Sequence, residues 1–187
     1  MSLSRSPAQS LEAGIALRDA FIDVCESSFF AYVEVCDSHK FAVLAEECSR
    51  SARAVQDGSA HGASKQVESE WLKASVRFSG TFAGVIEVIL AERLARSLIA
   101  SLLGEAPEAD FAEHQIFDGL GEFANMICGA WLTNLSQRTA FELRAPAVTR
   151  MAKDWSPITD SSWNDGQGYR MAVNELPVRL RFRPLAG

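Results

Sequence analysis

Cysteine and histidine are few in this chain, and nothing in their spacing makes a metal site. Cys25, Cys36, Cys48 and Cys128 form no C-x-x-C pair, and His39, His61 and His114 are scattered among 187 residues. A zinc pattern needs ligands at short fixed spacings, and a disulfide framework needs cysteines dense enough to staple a small fold. Neither is legible, and unpatterned thiols suit a reducing cytoplasm. Positive charge is also short. A formal net charge of −6 argues against a nucleic-acid binder that works by neutralising phosphates. Long apolar runs are missing too. The most apolar region, Gly84 to Leu103, is interrupted by Glu87, Glu92, Arg93 and Arg96, so no membrane insertion is expected. The first twenty residues carry Arg5, Glu12, Arg18 and Asp19 without a continuous apolar core, and no signal peptide is read there. What remains, 48% hydrophobic and 22% charged residues, is the balance of a soluble globular protein. Residues 1–187 suit one domain better than two.

Patterning along the chain predicts an α+β fold, with helices packed on one mostly antiparallel sheet. Residues 10–26 place Leu11, Ile15, Leu17, Phe21, Ile22 and Cys25 at helical spacing. Phe30 to Cys36 is short, aromatic and β-branched, as in a strand. Residues 37–68 give mixed signals and receive no element; within them Gln56 to Gln66 reads as a flexible loop. From Trp71 the pattern sharpens. Leu72, Ala74, Val76 and Phe78 alternate with Lys73, Ser75 and Arg77, a strand with one wet face. Ser79-Gly80-Thr81 turns the chain into a second strand, Phe82 to Leu90. Ala91 to Leu103 spaces Leu94, Leu98 and Leu102 four apart and ends at Gly104, a helix C-cap. A long helix follows from Ala112 to Gln137, then strands at Phe141–Val148, Tyr169–Val173 and Pro177–Phe182. Arg179, Arg181 and Arg183 alternate with Val178, Leu180 and Phe182; this reads as a solvated strand face, with an electrostatic docking patch as the other possibility. Trp155 and Trp163 bracket a polar stretch, as loop anchors or as a partner contact.

The long helix carries the chemistry. Asp118, Glu122 and Asn125 stand at i, i+4 and i+7, one narrow stripe at 100° per residue. Gly129 lies on that stripe and Gly121 beside it, while Ile116, Leu120, Phe123, Ile127 and Trp131 take the opposite face. An ordinary solvated helix face also shows Glu and Asn. A glycine inside a helix, however, costs about 1 kcal/mol relative to alanine, and two of them suggest that something approaches the backbone. Glu122 and Asn125 are expected to be solvent-exposed, with Phe123 and Ile127 buried beneath them. Cys128 is off the stripe and reads as packing.

Three pieces of the chain, taken in order, resemble a known family. They are Phe78-Ser-Gly-Thr-Phe-Ala-Gly-Val-Ile-Glu-Val, the Leu102-Leu103-Gly104 helix ending, and Asp118-x3-Glu122-x2-Asn125 followed by Gly129. The family is the CheC/CheX/FliY group of bacterial chemotaxis proteins. Its signature is Asp or Ser, Glu four residues on, Asn three further, and a proline about two dozen residues later. Pro146 fills the last place, slightly closer than usual. The first helix offers Asp19, Asp23 and Glu26, with Glu26 where a second site would have Asn, so the resemblance is to the single-site CheX type.

The resemblance implies a CheX-like domain over 1–187 that dephosphorylates phosphorylated CheY-type response regulators, in chemotaxis or related two-component signalling. It implies that Asn125 holds the attacking water, that Glu122 pairs with a lysine of the regulator, and that Asp118, Gly121 and Gly129 serve docking. No cofactor of its own is implied; the Mg²⁺ comes with the regulator. A cytoplasmic homodimer joined through sheet edges is also implied. The competing reading is a binding module for a response regulator, a chemotaxis partner or the flagellar switch, without turnover.

Overall fold

A computed structural model describes residues 7–57, 71–106, 109–135, 140–152, 155–160 and 168–185. Its helices are α1 (Pro7–Phe29), α2 (Ser38–Asp57), α3 (Glu92–Leu103) and α4 (Glu113–Leu135). Its strands are β1 (Val33–Val35), β2 (Trp71–Ser79), β3 (Gly84–Ala91), β4 (Glu142–Leu143), β5 (Ala147–Arg150), β6 (Gly168–Val173) and β7 (Leu176–Pro184). The strands form one sheet in the order β1-β6-β7-β3-β2-β4, with β5 also pairing β2, and every pairing is antiparallel. This is the helix-on-antiparallel-sheet fold that the patterning predicts.

Alternation along β2 decides which way the sheet faces. Leu72, Ala74, Val76 and Phe78 are buried, Lys73 and Ser75 are half-buried and Arg77 is exposed. The buried set faces α1, α3 and α4. Phe21 and Phe29 of α1 meet Phe123 of α4 edge to face, with ring centroids 5.9 and 5.1 Å away. Trp131 is fully buried, and its indole N–H donates to the Ala13 carbonyl at 2.9 Å, so a large apolar ring enters the core without stranding its donor. At the end of α3, Gly104 takes φ 68° and its N–H returns to the Ser101 carbonyl, as its C-cap role requires.

Three readings of the sequence need correction. Residues 37–68 contain a helix, α2, which lays Phe41, Ala45 and Cys48 on the other face of the sheet against Trp71, Ile89, Ala91 and Ala172. Asp37 caps it, accepting the Lys40 backbone N–H at 2.8 Å. The loop expected over Gln56–Gln66 lies largely outside the described residues. The Phe141–Val148 strand is broken into β4 and β5, because Pro146 has no N–H to give to β2. The alternating arginines of β7 do not form a solvated face. Arg179 is 2% exposed, lies over the Phe41 ring at 5.7 Å and donates to the Asp160 carbonyl. Burial brings its pKa down to about 10. Arg181 pairs with Glu87 of β3 at 2.6 Å, and of the three only Arg183 is exposed. β7 is an interior strand of the sheet, and two of its three alternating arginines, Arg179 and Arg181, are taken up by partners within the fold. Trp155 anchors its turn: it stacks edge-on to Trp71 and donates to Asp160. Trp163 lies outside the described residues.

Candidate functional site

The helix bearing the polar stripe is started by its own side chains. Gln115 accepts the Ala112 N–H at 2.9 Å, half of a reciprocal cap. Ile116, Leu120, Phe123, Ile127 and Trp131 are all buried, which sets the rotation of α4 and turns Asp118, Glu122 and Asn125 away from the sheet. Asp118 and Glu122 are exposed. Asn125, expected to be exposed as well, is half-buried; its carboxamide oxygen is covered and has no hydrogen-bond partner. The chain between β4 and β5 crosses beside the stripe, and its Leu143, Arg144, Ala145 and Pro146 line recesses that Asn125 also lines.

That crossing also accounts for one of the two glycines. A Cβ on Gly121 would stand 3.0 Å from Pro146 Cγ and 3.4 Å from its Cβ. What approaches the helix backbone at Gly121 is therefore a proline of the same chain. A Cβ on Gly129 would meet nothing within 4 Å; the surface there is open.

Two shallow recesses flank Asn125. The larger, about 380 Å³, is lined by Glu122, Asn125 and Met126 on the helix and by Leu143, Arg144 and Ala145 on the crossing chain. The smaller, about 230 Å³, is lined by Phe117, Asp118, Gly121, Glu122 and Asn125 with Pro146 and Val148. Four of the five expected site residues thus border one surface, and Gly129 lies a turn beyond.

An ion cluster ties the crossing chain to the helices. Arg150 of β5 bonds to Glu92 of α3 and donates to Glu113 of α4 at 2.8 Å, with its guanidinium 5.8 Å from the Phe117 ring centroid. Glu92 is nearly buried and also accepts from Arg96 at 2.9 Å. A buried carboxylate between two guanidinium groups resists separation, since removing one partner strands a charge. Nothing in the sequence pairs Arg150 with Glu92, 58 positions away; only the fold does.

The chemistry this arrangement supports is narrow. An unpaired buried carboxamide oxygen is unusual in a native protein and calls for an explanation, of which a catalytic role is one. Asn offers both a donor and an acceptor, so it can orient a water, but it is no base. Cys128 is buried and its thiol is pushed up to about 12 by burial, which removes it as a nucleophile. Among the described residues no three His, Cys, Asp or Glu side chains converge as a metal requires. No helix among them is long and apolar enough to cross a membrane.

Comparison with known proteins places this geometry. The family model described as chemotaxis phosphatase CheX matches residues 72–154, which run from β2 through α4 to just past β5. No curated protein matches the chain significantly in sequence. In fold the chain is similar to a chemotaxis protein CheX from Desulfovibrio desulfuricans, at 16% identity and a TM-score of 0.60, over 93% of this chain and 99% of that one. It is also similar to chemotaxis protein CheX from Vibrio vulnificus, at 13% identity and 0.57, covering 96% and 100%. FliY of Thermotoga maritima shares the fold at 14% identity and 0.52, covering 99% and 93%.

Proposed function

We propose that this chain is a member of the CheC/CheX/FliY family and a phosphatase that hydrolyses the aspartyl phosphate of a CheY-type response regulator. One observation carries the reading. On a single helix face, exposed Glu122 stands beside Asn125, whose carboxamide oxygen is unpaired at the edge of an open recess.

An acyl phosphate is already activated, so its hydrolysis needs a positioned water and compensation of charge more than a new nucleophile. Asn125 enters the regulator's site and holds the water with its carboxamide, which both donates and accepts. Glu122 pairs with a lysine of the regulator, a charge-assisted contact that fixes register and gains strength as the interface dries. Asp118 and the open backbone at Gly129 serve docking, and Gly121 keeps Pro146 close to the site. Mg²⁺ belongs to the regulator, and the reaction takes place in the cytoplasm. The expected assembly is a homodimer through β1. That strand stands at a sheet edge, with Val35 48% exposed and Tyr32, just before the strand, 67% exposed, and an unpaired edge is a template for pairing. The opposite edge, β4 and β5, borders the recesses and must stay open.

The test is phosphate release from a phosphorylated CheY-type regulator, with and without this protein. Asn125→Ala should remove most of the acceleration at saturating protein and leave affinity for a regulator carrying a stable phosphoryl mimic nearly unchanged. Glu122→Ala should lower both. Equal rates for wild type and Asn125→Ala would reject the mechanism, and binding by the wild type without acceleration would establish the binding module instead.

A further inference from the structure

Arg144 faces Glu122 and Asn125 across the larger recess and has no role in the chemistry above. Its backbone is held firmly. The Arg144 N–H donates to the Arg77 carbonyl at 2.8 Å, one residue beyond the Leu143–Phe78 pair of the sheet. Its side chain is not held: it is 68% exposed, and its ion pair with Glu142, itself 69% exposed, spans 4.0 Å. An exposed pair at that separation restrains a guanidinium very little.

The charge around it is lopsided. The described side chains lining the two recesses include two carboxylates, Asp118 and Glu122, and a single cation, Arg144. A phosphoryl group brought against this helix face therefore meets two negative charges of the protein itself. Its own charge is spread over three non-bridging oxygens. A planar guanidinium presents donors in a fork that matches such oxygens, and it never loses its charge.

We propose that Arg144 is a phosphoryl-binding residue, its guanidinium donating to a non-bridging oxygen of the regulator's aspartyl phosphate while Asn125 holds the water. This inference rests on the phosphatase reading of the same site. It makes Arg144 the residue that distinguishes a phosphorylated regulator from a bare one, whereas Glu122 engages both.

The experiment compares wild type with Arg144→Ala, Arg144→Gln and Arg144→Lys. Affinity is measured for the regulator with and without beryllofluoride as the phosphoryl mimic, and phosphate release is measured alongside, with Asn125→Ala as a control. A charge-assisted hydrogen bond corresponds to roughly tenfold to a hundredfold in affinity. Arg144→Ala and Arg144→Gln should lose about that factor for the beryllofluoride form alone, and Arg144→Lys should recover part of it. An exposed side chain held only by structure would not shift this ratio. Equal weakening towards both forms, or no weakening, overturns the inference. If those results come with wild-type acceleration that Asn125→Ala abolishes, the phosphatase reading stands without it. If the ratio depends on Arg144 but no variant and no wild type accelerates release, the phosphatase reading fails and Arg144 is a phosphoryl contact of a binding module, with no part in turnover. A wild type indifferent to beryllofluoride overturns both.

Discussion

Gly119, Gly121 and Gly129 offer three alanine substitutions with the same helix gain and different surroundings. All lie within α4, where replacing glycine by alanine is worth about 1 kcal/mol. At Gly129 a Cβ meets nothing within 4 Å, so Gly129→Ala should realise the whole gain and raise Tm by about 2–4 °C in a chain of this size. At Gly119 the Cβ would stand 2.7 Å from Ile99 Cγ1 and 3.2 Å from its Cδ1. Ile99 is buried between α3 and α4 and has no free end to swing away. Overpacking costs about 1–3 kcal/mol, so Gly119→Ala should be neutral to about 2 kcal/mol destabilised. Gly121→Ala lies between them. Its Cβ would press on Pro146 at 3.0 Å, but that proline sits in an edge segment between Ala145 and Ala147, both exposed, which can move outward. Helix gain and contact strain should nearly cancel, within about 1 kcal/mol. Calorimetric melting of the three variants gives the order directly. Function should run differently: Gly129→Ala, the most stable, should dock a beryllofluoride-loaded regulator less well if the partner passes over that bare backbone. Gly121→Ala should lower turnover by lifting the Pro146 crossing off Asn125. Equal upward shifts in Tm for all three would refute the packing described at Gly119 and Gly121. Unchanged docking by Gly129→Ala would remove Gly129 from the interface.

Burial raises the thiol pKa of Cys25 and of Cys128 from 9.0 to about 12. The unfolded chain releases those protons first. From about pH 9 to about pH 12 it therefore binds fewer protons than the folded chain, and stability falls as pH rises, by up to about 1.4 kcal/mol per unit for each thiol. Urea midpoints from pH 8 to 10.5 should drop more steeply in the wild type than in Cys25→Ala/Cys128→Ala; parallel slopes would contradict the assignment. Light scattering at micromolar concentration should give a dimer, and Val35→Lys on the β1 edge should give a monomer that still accelerates phosphate release. A wild-type monomer would remove the dimer and leave the phosphatase untouched.

Much of this protein is readable from residue order alone, where local rules suffice. The alternation in β2, the Gly104 cap and the buried stripe of α4 are set by periods of 2 and 3.6 and by backbone sterics. Those same periods point Asp118, Glu122 and Asn125 away from the core, so the candidate site is legible without coordinates. The misreadings arise where a partner distant in sequence changes what a polar residue means. Arg181 and Arg179 look like a wet face until Glu87 pairs with one and Phe41 and the Asp160 carbonyl cover the other. The helix at Ser38–Asp57 packs through Phe41, Ala45 and Cys48, with Leu44 beside them, on a sheet face that also carries Arg179. Asn125 looks exposed until Pro146 crosses beside it, held by Arg150 through Glu92 and Glu113. Local sequence thus determined the helix and the residues it displays. Only the tertiary fold decided that a broken edge strand would lie beside that display and bring Arg144 and Pro146 to the recesses that Asn125 lines, because those contacts join residues that no local rule connects.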